Sequence, residues 1–168
     1  MGLIVFMMAG GFLGPAWSAD VKIAYVDIQK AVNESNAGKE AKKAIGRELE
    51  KFQKQIADKQ KELQQLKETF EKQAPMLNPE ARGTKEKEYQ AKVRDFQRWG
   101  EDSQNEINQK RVEMEKTISI GLMKVIQKLG SDDGYLLILE KNENIVLFVS
   151  KSIEITDRVI KLFDVQKK

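Results

Sequence analysis

The middle of this chain carries a repeat that leaves few folds open to it. Ile45, Leu49, Phe52, Ile56, Lys59, Leu63, Leu66 and Phe70 follow one another at steps of 4, 3, 4, 3, 4, 3 and 4, and all but Lys59 are apolar. Lys, Gln and Glu fill most of the positions between them. Alternating steps of three and four put every one of these side chains on one narrow stripe of a helix, the seam of a coiled coil. A long helix with one such stripe needs a partner to cover it.

The partner is encoded just downstream. The stretch TFEKQAPMLNPEARGT, residues 69–84, holds two of the three prolines in the chain. Pro75 stops the first helix, because a proline disfavours the helical conformation in the residue before it. Asn78 is a strong N-cap, and Pro79 suits the first position of a new helix, where its missing N–H costs nothing. A second helix follows from about residue 79 to 129, with Tyr89, Val93, Phe96, Ile107 and Met114 in a similar rhythm. Gly100, Ser103 and Lys110 occupy intervening seam positions, so this stripe is thinner and the helix looser near Gly100. The pattern predicts an antiparallel helical hairpin over residues 38–117, with its tip near 75–79. The second helix outruns the first, and its surplus, ISIGLMKVIQKL at 118–129, is apolar on more than one face and belongs in a packed body.

That body draws on both ends of the chain, residues 20–37 and 118–168. VKIAYVDI at 21–28 reads as a strand, and IQKAVNES as a short helix interrupted at Asn36-Ala37-Gly38. GYLLILE and IVLFVS, joined by a polar loop, read as a β-hairpin. Thr156 reads as the cap of a last helix, DRVIKLFDV; Asp27 and Asp157 read as helix caps or first-turn acids. The expected class is α+β: a small β-sheet body carrying a long coiled-coil arm. A body of roughly 70 residues rarely stabilises itself unaided. LLIL and IVLFV are continuous apolar runs that need cover on both faces. Without cysteines to staple it, the body is expected to oligomerise with copies of itself.

Composition removes several functions. The chain has no Cys and no His, so thiol nucleophiles, Cys/His zinc sites and Ser-His-Asp triads are excluded. No GxxxxGK[ST] loop is present for a nucleotide-driven cycle. All 29 Lys and Arg and all 26 Asp and Glu lie in residues 20–168, interleaved rather than clustered, which does not fit nucleic-acid binding. The uncharged first 19 residues hold an apolar run at 3–13, a Gly-Pro break and Ala16-Trp17-Ser18. They read as a signal peptide too short to favour a stable membrane span.

VKIAYVDIQKAVNESNAGKEAKKA, a charged coiled-coil hairpin, then GYLLILEKNENIVLFVS and IEITDRVIKLF together resemble the Skp/OmpH family of periplasmic chaperones. The most specific pieces are Val26-Asp27-Ile28-Gln29-Lys30, Gly38-Lys39-Glu40-Ala41, Gly134-Tyr135 and Ile155-Thr156-Asp157-Arg158-Val159-Ile160. The resemblance implies a jellyfish-like homotrimer in the periplasm, with three arms around a central cavity. It implies an ATP-independent holdase for unfolded outer-membrane β-barrel proteins, with no cofactor, no metal and no catalytic residues.

On that reading several residues become candidates for client contact. Met76 and Leu77 sit side by side at the tip, where they either touch clients or pack back to close the hairpin. Trp99 lies off the seam and can face the cavity, whereas Tyr89 and Phe96 belong to the seam. Lys85, Lys87, Arg94 and Arg98 alternate with acids; they form a solvated face with i,i+4 pairs, or attract acidic clients or lipopolysaccharide at the membrane surface. The competing function is a coiled-coil spacer or scaffold of the cell envelope that binds one folded partner.

Overall fold

The computed structural model describes residues 21–142 and 146–166. The N-terminal stretch read as a signal peptide lies outside them, as does the middle of the loop at 143–145. Along the chain come strand β1 (Ile23–Val26), helices α1 (Ile28–Glu34), α2 (Asn36–Gln73) and α3 (Pro79–Asp133), strand β2 (Leu137–Glu140) and helix α4 (Thr156–Gln166). Short 3₁₀ turns at Ala74–Met76 and Lys151–Ile153 complete the order.

At 1.5 Å per residue α2 is roughly 57 Å long and α3 about 82 Å, and the two run side by side as an antiparallel pair. All eight seam positions of α2 are partly or fully buried, Phe52 most completely. In α3, Ile107 is buried, while Tyr89, Val93, Phe96 and Met114 are half-buried. The reversal follows the two prolines. α2 ends at Gln73, one 3₁₀ turn contains Pro75, and the Asn78 side-chain oxygen accepts from the Ala81 N–H at 2.8 Å to start α3 at Pro79.

The body closes both ends of the chain around one core. Ala24 and Val26 of β1, Ala31 and Val32 of α1, Ile118, Leu122, Val125 and Leu129 of α3, Ile155, and Val159 and Phe163 of α4 form a single buried cluster. Asp27 caps α1 by accepting from the Lys30 N–H at 2.8 Å. Ser35 ends α1, and its hydroxyl accepts from the Gly38 N–H, so Asn36-Ala37-Gly38 opens α2 rather than interrupting a helix. A Cβ on Gly38 would collide with the Val32 carbonyl oxygen, so this corner requires glycine. α3 ends on Gly134 at φ 69°, the left-handed conformation that glycine adopts without penalty.

Three expectations are corrected. The predicted β-hairpin does not form: β2 pairs with β1 in parallel, Ile23 opposite Leu137 through Val26 opposite Glu140, and residues 146–150 form no strand. On the other side of β1 only Glu154 bridges, to Tyr25. Among the described residues the sheet is thus two strands, smaller than the body sheet expected, and the long helices dominate the protein. The reason is cover. The inner sheet face rests on the core through Ala24, Val26 and Ile138, but among the described residues nothing lies over Leu147 and Phe148 of the segment that should have been the next strand. Second, Thr156 is inside α4; its hydroxyl accepts from the Asp27 N–H at 2.9 Å and donates to Glu154, tying α4 to β1. Third, the 118–129 stretch buries one face only: Ile120 and Met123 on the other face stay about half exposed.

Candidate functional site

Midway along the arm, aromatic side chains bridge the two helices. Phe96 and Trp99, three residues apart on α3, lie on one face. Trp99 meets Phe52 of α2 with ring centroids 5.4 Å apart, and Phe96 at 6.2 Å. The Lys59 ammonium stands 4.9 Å from the centre of the Trp99 ring. This accounts for the one polar residue of the α2 seam: Lys59 faces an indole, which attracts a cation through its negative face. Trp99 therefore works between the helices and is half-buried, with part of its surface open to solvent.

The packing around this group is incomplete. One cleft, of about 560 Å³, opens beside Phe52, Ile56, Phe96 and Gly100, and another, of about 440 Å³, beside Leu63, Leu66, Phe96 and Trp99. Gly100 offers no side chain to fill the first. The sparse α3 seam read from the sequence thus becomes a pair of grooves flanking Phe96, each with an apolar floor and a polar or charged rim.

At the tip, Met76 is 88% exposed, whereas Leu77 is half-buried and lines a shallow groove with Ala81, Thr84 and Lys85. The two neighbours divide the readings between them: Leu77 packs back and Met76 does not. Lys85 pairs with Glu88 at 3.5 Å, while Lys87, Arg94 and Arg98 are exposed on α3. The structure does not gather the predicted contact residues into one patch. Met76, Leu77, Lys85 and Lys87 belong to the tip region, and Trp99 lies well down the arm.

A polar cluster locks the opposite end. The Tyr25 hydroxyl donates to Glu154 at 2.9 Å, Lys30 reaches Asp157 at 2.8 Å, and Lys141 reaches Asp27 at 3.2 Å. The Lys30 N–H, with Lys141 beyond it, holds the Asp27 carboxyl below its ordinary value. The hydrogen bond from Lys30 does the same for Asp157, and the Lys30 ammonium is raised in turn. Partial burial and the bond to Glu154 push Tyr25 up. Each group is engaged in holding β1, β2 and α4 together, and the cluster is structural. Among the described residues no group of acids is arranged to hold a metal ion, and no helix is long and apolar enough to cross a membrane.

The apolar runs that the sequence marked as needing cover on both faces leave one surface open. Leu147 and Phe148 are 95% and 86% exposed, Leu136 is largely exposed, and Leu137 and Leu139 are about half exposed on the outer face of β2. The signal was present in IVLFVS, but it was assigned to pairing within the chain.

The fold and sequence have relatives. An uncharacterized protein of Aquifex aeolicus is 29% identical over 147 residues, 88% of each chain. The crystal structure of a candidate outer membrane chaperone (OmpH-like) from Caulobacter crescentus superposes with a TM-score of 0.80 over 95% of this chain and 92% of that one, at 18% identity. The family model for outer membrane protein (OmpH-like) matches residues 22–163. From the arm, the body and this match together, the chain belongs to the OmpH-like family.

Proposed function

We propose that the protein is an ATP-independent holdase of the periplasm that shelters unfolded outer-membrane β-barrel proteins between helical arms. The observation that carries this reading is the incompletely filled arm. Apolar side chains of both seams remain partly accessible along its length, and grooves flank Phe96. Many weak apolar contacts spread over a long surface suit capture of unfolded chains of varied sequence, and repeating the arm multiplies their effect. A stiff spacer would instead fill its seam from end to end.

We further propose that the working unit is a homotrimer. The outer edge of β2 has no partner strand among the described residues, and Leu136, Leu137, Leu139, Leu147 and Phe148 leave apolar surface uncovered. Copies of the same segments supply both the hydrogen-bonding edge and the apolar cover. The number three and the client class come from the family resemblance.

The test dilutes an unfolded outer-membrane β-barrel protein from urea into buffer without nucleotide and follows light scattering. Suppression that saturates near one trimer per client, with no binding to the same protein once folded, is expected. A well-folded oligomer that suppresses nothing, yet captures one folded envelope protein, would establish the scaffold instead.

A further inference from the structure

Where α1, α2 and α3 meet at the base of the arm, a cleft of about 410 Å³ opens between Val32, Ile45, Leu49, Met114 and Ile118. That size lies within the range of clefts that hold small ligands. We propose that it is a binding site for a fatty acid, with the acyl chain in the cleft and the carboxylate at Lys42.

Two independent features carry this. The first is Gly46, which lines the cleft. A glycine inside a helix is destabilising and is normally kept for a close approach. Gly38 and Gly121 have such a reason: a Cβ would strike the Val32 carbonyl at one and come 2.6 Å from the Phe163 ring at the other. At Gly46 a Cβ would meet no atom within 4 Å. Gly83 and Gly100 have the same open space, but of the three only Gly46 lines this cleft, where no neighbour among the described residues requires its smallness.

The second is charge. Three ionised side chains border the cleft: Lys42, Arg111 and Glu115. Arg111 is committed, to Glu115 at 3.0 Å and to Asn108 at 2.9 Å. Lys42 is exposed and makes no ion pair among the described residues. The rim therefore offers one uncommitted ammonium, a point charge suited to a single carboxylate, at the mouth of an apolar space.

The test is calorimetric titration of the full chain with dodecanoate below the concentration at which it forms micelles. Saturable binding is expected, at least tenfold tighter than that of dodecyl maltoside or dodecyltrimethylammonium. Gly46→Leu should fill the cleft and abolish binding with the melting temperature held or raised. Gly83→Leu, at a second helical glycine with open space around it, should leave dodecanoate binding unchanged with the melting temperature likewise held or raised. Lys42→Glu, a surface change that leaves packing intact, should weaken dodecanoate at least tenfold and leave the neutral amphiphile alone. Absence of saturable uptake, equal affinity for the three amphiphiles, or undiminished binding in a folded Gly46→Leu or Lys42→Glu protein would overturn the assignment.

Discussion

Single side chains show where this fold has no slack. Gly38→Ala forces a methyl group into the Val32 carbonyl at the α1–α2 corner, and a cost of more than about 2 kcal/mol is expected, read as a shift in the urea midpoint. The Lys59–Trp99 contact is smaller: Lys59→Ala should cost about 0.5–1 kcal/mol, and a double-mutant cycle with Trp99→Phe should return a non-zero coupling. At the tip the two apolar neighbours separate. Met76→Ser touches almost nothing and should move stability by less than about 0.5 kcal/mol, so weaker client holding by that variant would mark a direct contact. Unchanged holding would remove Met76 from the client surface. Asp27 and Asp157 both have carboxyls depressed by their partners. In the acid range the unfolded chain binds more protons than the folded one, so stability rises with pH. Their contribution is complete above the ordinary Asp range near about pH 4 and is lost as pH falls through the depressed native values. Denaturation midpoints measured down from neutral pH should drop in that window, and Asp27→Asn, which keeps a capping oxygen, should flatten the drop.

Among the elements, legibility followed the range of the information. The hairpin arm was readable because a seam of alternating steps and a pair of prolines are local. Each stretch states its own conformation, and two helices joined by a short turn have one way to cover their stripes. The Asn78 cap and Pro79 start appear where the sequence placed them. The contacts of Trp99 with Phe52 and Lys59 were not legible, because heptad counting on α3 alone does not see across the arm. The sheet was misread for a stronger reason. GYLLILE and IVLFVS are neighbours in sequence, but β2 takes its partner from the far end of the chain. Apolar continuity tells that a strand needs cover without saying which strand supplies it. Thr156, spent on the Asp27 N–H rather than on its own helix, is the same lesson at shorter reach.

At the scale of the whole molecule, the body of one chain leaves Leu147 and Phe148 in water, and assembly is the expected remedy. Leu147→Ser with Phe148→Ser should shift the sedimenting species towards the monomer while the helical circular dichroism signal is kept. An unchanged mass would place the interface elsewhere. The body also joins distant parts: the Tyr25 hydroxyl meets Glu154 across 129 positions, with the entire arm between them. Contacts that far apart in sequence are slow to form, whereas a helical hairpin is made of local ones. The arm therefore has every contact it needs before the base that supports it exists. A chain in which only the arm has formed carries it on an open, apolar beginning, until α4 packs against β1 and closes the core. Pulse-labelled hydrogen exchange during refolding should protect the amides of α2 ahead of that of Ile155, which bonds the Tyr25 carbonyl. For that interval β1 and α1 present the apolar side chains of a core that the last helix has yet to complete.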